Sequence, residues 1–165
     1  MSANFSQGAP AALWQALVHE AAGRAGHPLD ETRESYLVFV LLRFQNDGAL
    51  LARTQALDWL HALGQAGQVR ADALRDVGDR CLLIAGLFPG LAARRRVSVD
   101  YFVELGRGAY REVAEAGRSA YAALFGQLAE GYRELVEVLR GLRGDPRSAG
   151  LERLAAAVPV HATRH

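Results

Sequence analysis

From Tyr121 to Leu142 the apolar positions of this chain recur in alternating steps of four and three: Tyr121, Phe125, Leu128, Tyr132, Leu135, Leu139 and Leu142. A strand repeats every two residues and cannot carry that spacing, whereas a helix aligns it into one continuous seam. Glu130, Arg133, Glu134, Glu137 and Arg140 fill the other side, with Arg133 and Glu137 four apart. The seam predicts one long helix despite Gly126 and Gly131, each of which costs about 1 kcal/mol relative to alanine. Two chains can pair through such a seam, so Leu128, Tyr132, Leu135 and Leu139 are candidate self-association residues. Building the core of a single chain is the competing use of the same pattern.

The rest of the chain repeats the helical theme, and no stretch alternates with period two long enough to be a strand. A first helix is expected from near Pro10, with Leu13, Trp14, Leu17, Val18 and Ala21 on one stripe and Gly23 and Gly26 at its end. A second starts between Pro28 and Glu31 and contains YLVFVLL; being apolar all round, it should be the central, most buried helix. A third runs from Ala49 to Leu63, with Leu57, Leu60 and Leu63 facing inward. The fourth, Val69 to Leu87, begins with a polar face of Asp72, Arg75, Asp76, Asp79 and Arg80 and becomes wholly apolar from Cys81 to Phe88. Phe88-Pro89-Gly90 breaks it.

Ser98 is a good N-cap for a fifth helix, and Asp100 suits its first turn. Phe102, Leu105, Gly106, Ala109 and Val113 share one face, where the small residues would admit a close neighbour, and Tyr101 and Tyr110 flank that face. After the seam helix, a short helix from Ala149 to Ala157 and a disordered tail complete the expectation: a single helical domain over 1–158 and a tail over 159–165. The fold class is all-α, a bundle of about six to seven helices.

Composition excludes several functions. Half the residues are apolar and the formal net charge is +1, which fits a globular domain and not a general nucleic-acid binder. All 19 basic residues are arginine, so neither Schiff-base lysine chemistry nor a phosphate-loop lysine is available. One cysteine, Cys81, fits a reducing cytoplasm. The start, MSANFSQGAP, has no basic segment followed by an apolar stretch, so no signal peptide is expected. The longest apolar run, Tyr36 to Leu42, falls short of the roughly 20 residues a membrane span needs.

The stretch from Val77 to Tyr110, within DVGDRCLLIAGLFPGLAARRRVSVDYFVELGRGAY, resembles a group of bacterial all-helical proteins with no assigned function. They share an apolar run ending in an aromatic, a basic turn, a D-Y-aromatic helix and a later G-x-x-A-Y. The resemblance covers about a fifth of the chain and implies a helical fold and a bacterial origin, with no activity to carry over.

Catalytic and metal motifs fail on spacing. His19-Glu20 starts like a zinc-protease motif, but position 23 is glycine, and no Glu-x-x-His pair exists for a di-iron bundle. No metal or other cofactor is implied. His61, three residues from Asp58, is expected to bond locally. Gly117-Arg118-Ser119 lacks the final glycine of a nucleophile elbow, which leaves Ser119 as a helix-start residue. Cys81 lies in an apolar run and is expected to be inert packing. The series Asp72, Asp76, Asp79, interleaved with Arg75 and Arg80, is expected to be a solvated, salt-bridged face.

Arg94, Arg95 and Arg96, just before the Ser98 cap, form the one cluster that suits an anion, with Tyr101 and Tyr110 lining the same mouth. A solvated basic turn is the competing reading. The function expected from the sequence is that of a non-enzymatic, self-associating interaction protein, with a bundle binding a small apolar or anionic ligand as the alternative. The partners expected are a second copy in a homodimer or another protein, and neither a membrane nor nucleic acid.

Overall fold

The computed structural model describes residues 2–46 and 55–146, and 83% of these residues are helical, with no strand among them. Among the described residues eight helices follow in order: α1 (Ser2–Ala25), α2 (Glu31–Asn46), α3 (Gln55–Leu63), α4 (Gly67–Gly86), α5 (Pro89–Arg94), α6 (Val99–Glu115), α7 (Ala120–Glu130) and α8 (Tyr132–Leu142). The start of the expected third helix, the short helix at 149–157 and the tail lie outside the described residues. No described helix is long and apolar enough to cross a membrane.

Helix ends follow local chemistry. Gly26 closes α1 with φ +74°, while its own N–H donates to Gly23 O and the N–H of His27 reaches back to Ala22 O at 3.0 Å. Ser98 and Ser119 cap α6 and α7 as expected, their hydroxyls accepting from the N–H of Tyr101 and Ala122. Pro89 opens the short α5, where its missing N–H costs nothing. Pro10 does not begin α1; it sits inside a longer helix.

The centre of the bundle is α4, not α2. Every residue from Val77 to Phe88 is buried, and α4 packs against α3, α5, α6 and α8. The apolar run of α2 does bury Leu37, Val40, Leu41 and Phe44 against its neighbours, but Phe39 stays 43% exposed. An all-apolar helix can end at the periphery because burial needs neighbours on every side, and α2 has them chiefly from α1 and α7. Contact with α4 depends on glycine. A methyl group on Gly86 would fall 2.6 Å from Leu139 Cβ, and one on Gly106 would fall 2.7 Å from Cys81 Cβ. These helices therefore meet closer than alanine would permit.

The heptad seam is not one helix. Gly131, with φ −95° and ψ 19°, divides it into α7, which lies on α6 and touches α2, and α8, which lies on α1 and α4. Leu128, Tyr132, Leu135 and Leu139 are all fully buried within the single chain, so the seam builds its core and does not face a partner. A charge placed there would have neither water nor a counter-ion. Leu128→Glu combined with Leu135→Glu is accordingly expected to unfold the domain, read as loss of the helical circular dichroism signal and of a cooperative melt. A folded, helical double variant would show that these side chains are not core.

Candidate functional site

The most unusual chemistry sits on α4, where sequence reading expects a solvated face. That face is graded: Asp72, Arg75 and Asp76 keep partial access to water, but Asp79 is 3% exposed and Arg80 4%. The expectation fails for these two residues because α2 and α6 close over the second half of α4 and bring polar partners with them.

Asp79 Oδ1 accepts hydrogen bonds from the hydroxyls of Tyr36 at 2.6 Å and Tyr110 at 2.5 Å, and Oδ2 accepts from Arg43 Nη1 at 2.9 Å. Arg43 spans outward to Asp76 at 3.0 Å, and Arg75 adds a longer contact to the same Asp76 oxygen. Beneath them, Tyr132 of α8 donates to the carbonyl of Gly78 at 2.8 Å. The Tyr110 ring occupies the space that a side chain on Gly78 would fill, so glycine at 78 lets the ring cross α4 and reach the carboxylate. Rings of Tyr36, Tyr110, Phe125 and Tyr132 pack edge to face around this point.

Burial pushes the Asp79 carboxyl up to about 6, against the opposing pull of the two tyrosine hydrogen bonds and of Arg43 and Arg75. Burial, and then the charge of Asp79, raise Tyr36 and Tyr110 above the ordinary tyrosine range, which keeps both hydroxyls as donors. Cys81 is also raised by burial, so its thiol stays protonated packing, as the sequence suggests. With both Asp79 oxygens occupied by side chains from other helices, the cluster joins α2, α4 and α6 and presents no free acceptor to a substrate.

The other candidates are dispersed. Arg94 ends α5, while Arg95 follows it half-buried, and burial and then Arg94 lower its pKa. Arg96 takes φ +57°, a left-handed position usually held by glycine, so that the N–H of Val97 can close the turn onto Ala92 O. Tyr101 is exposed nearby. Tyr110 is not at that mouth: it is fully buried on Asp79, because its face of α6 turns to α4.

Cavities lie elsewhere. One of about 530 Å³ lies between the α1–α2 turn and Gly131, lined by His27, Asp30, Arg33, Glu130 and Glu134. Another of about 260 Å³ lies among α4, α6 and α7 beside the Arg70–Glu112 ion pair. Neither includes an arginine of the turn. His19 is exposed and pairs with Glu34, and His61 faces Gln65 at 3.4 Å in place of Asp58. Among the described residues no group of three His, Cys, Asp or Glu side chains is arranged to hold a metal ion.

Asp58 has a different partner, and the surface changes with it. Arg80 Nη2 of α4 meets Asp58 Oδ2 at 3.2 Å, and Asp58, Trp59 and Ala62 lie on the core side of α3. Leu57 and Leu60, expected inward, are each 64% exposed, and Val69 at the start of α4 is 63% exposed. Leu63 also faces outward. Spacing alone marks the leucine face as the inner one; in the structure the other side of α3, with Asp58 beside Arg80, faces the core.

Compared with known protein families, curated proteins and solved structures, the chain matches none.

The Asp79 carboxyl has a clear pH signature. Its folded pKa, about 6, stands above the ordinary 3.8, so the folded state holds a proton that the unfolded state releases. The stabilisation this provides is complete below about pH 4 and is lost as pH rises through 6. Asp79→Asn keeps an acceptor for the tyrosines but cannot titrate. The stability of the wild type relative to this variant should therefore fall by on the order of 3 kcal/mol between pH 4 and pH 7, measured by urea unfolding. A difference that is flat with pH would contradict the assignment.

Proposed function

We propose that the chain is a non-enzymatic interaction protein that works by pairing with a second copy of itself, through the outward face of α3 and the beginning of α4. The observation that carries this reading is the row of Leu57, Leu60, Leu63 and Val69 on the surface, while Asp58, Trp59 and Ala62 of the same segment face the core. Large apolar side chains left exposed on neighbouring stretches of chain mark a surface that gains by being covered.

The charge pattern favours a second copy as the cover. From Gln55 to Val69 the sequence contains one charged residue, Asp58, and that residue is paired internally with Arg80. A two-fold pairing brings each residue near its own equivalent, so a charged rim would repel itself, whereas His61, Gln65 and Gln68 do not. A net charge of +1 adds little repulsion between whole chains. A strongly acidic or basic partner would find nothing complementary on this face.

Sedimentation or light scattering across a concentration series tests the proposal. The wild type should pass from monomer to dimer, and Leu57→Glu with Leu60→Glu should remain monomeric while keeping its helical signal. Its stability should stay within about 1 kcal/mol of wild type, as befits exposed positions. A wild type that is monomeric at its highest soluble concentration, or a variant that still dimerises, would overturn the reading.

A further inference from the structure

We infer that the Asp58–Arg80 ion pair determines which face of α3 the protein presents, so that these two residues position the pairing surface without being part of it. The inference rests on the pairing proposed above. At 3.6 residues per turn, Leu57 and Leu60 lie on the side of α3 away from Asp58, Trp59 and Ala62, and Leu63 borders that side one turn beyond Trp59. Burial of three leucines removes more apolar surface than burial of one alanine and part of a tryptophan, so hydrophobicity alone would turn α3 the other way. A stronger demand comes from α4.

That demand is traceable residue by residue. Asp79, held by Tyr36, Tyr110 and Arg43, fixes the rotation of α4 about its own axis. The adjacent Arg80 is therefore aimed into the interface with α3, where its side chain is 4% exposed. Arg80 Nε donates to the carbonyl of Asp76 at 3.1 Å, which holds the guanidinium along α4 with Nη2 3.2 Å from Asp58 Oδ2. A guanidinium there requires a carboxylate, because an unpaired buried charge is far costlier than exposed leucines. Supplying Asp58 turns the leucines out. Trp59 then lies against Gly108 of α6, where a side chain would meet its ring at 3.3 Å, and this contact seats the helix.

Buried ion pairs of this kind specify an arrangement more than they stabilise it, and apolar replacement of both partners is often tolerated. Replacing both with apolar residues, Asp58→Leu with Arg80→Met, removes the demand and allows α3 to roll its leucines inward. Each single substitution should destabilise the protein, and the double variant should recover a cooperative melt yet remain monomeric. The independent readout is maleimide labelling of an introduced Leu60→Cys at a dilution where chains are unpaired; the native Cys81 is fully buried and should stay silent. Labelling should be fast with the ion pair present and slower by about tenfold or more in the apolar double variant, since protected sites react only through opening. Unchanged labelling in a folded double variant would overturn this inference and leave the pairing proposal standing. An unfolded double variant would overturn it as well, because the leucines are required to replace the lost contacts. A monomeric wild type would overturn the pairing proposal, while the labelling comparison would still judge the orientation of α3.

Discussion

A carboxylate enclosed by helices must find its hydrogen bonds from protein, and Asp79 finds them from two tyrosine hydroxyls and an arginine on other helices. Losing any one of them would leave charge in a poorly polarisable interior, so α2 and α6 are held to α4 by a requirement stricter than apolar contact. Glycine accommodates the requirement. Gly78 lets the Tyr110 ring cross α4, and Gly106 leaves room for Tyr132 to reach the Gly78 carbonyl. Three helices thus meet at one turn of α4, and the aromatic rings around it exclude the water that would otherwise solvate the charge.

The rest of the bundle adapts to this centre. Because α4 cannot rotate, Arg80 must enter the α3 interface, and α3 exposes its leucines in consequence. The seam from Tyr121 to Leu142 divides at Gly131, so that α7 can follow α6 while α8 lies across α1 and α4. A straight helix could not serve both sets of neighbours. The surface next to the buried carboxylate carries Arg43 over the Phe39 ring, with Asp76 and Arg75 alongside, so its outward side is a network of paired charges.

Function follows from what the polar residues leave available. The carboxylate most shifted from its ordinary pKa has its oxygens occupied by structural donors, which separates it from the acids and bases of active sites, where such shifts accompany access to a substrate. The uncharged leucine row on α3 has the opposite character: it is exposed, and a buried ion pair orients it. For that reason the row, and not the tyrosine–aspartate cluster, carries the functional proposal.

Local chemistry was legible without coordinates. Apolar spacing and the absence of period-two alternation predict the all-helical fold, Ser98 and Ser119 announce two helix starts, and the run from Cys81 to Phe88 marks most of the enclosed stretch that ends α4. These features depend on neighbours within one or two turns, which sequence spacing specifies directly. Tertiary structure alone decided that Asp79 and Arg80 are buried, that Tyr110 turns inward, that the seam breaks at Gly131, and that Leu57 and Leu60 face out. The donors to Asp79 come from positions 43, 36 and 31 residues away, and the carboxylate beside Arg80 belongs to a different helix. Periodicity identifies a helix face, but which face is buried depends on the polar groups that distant segments bring to it.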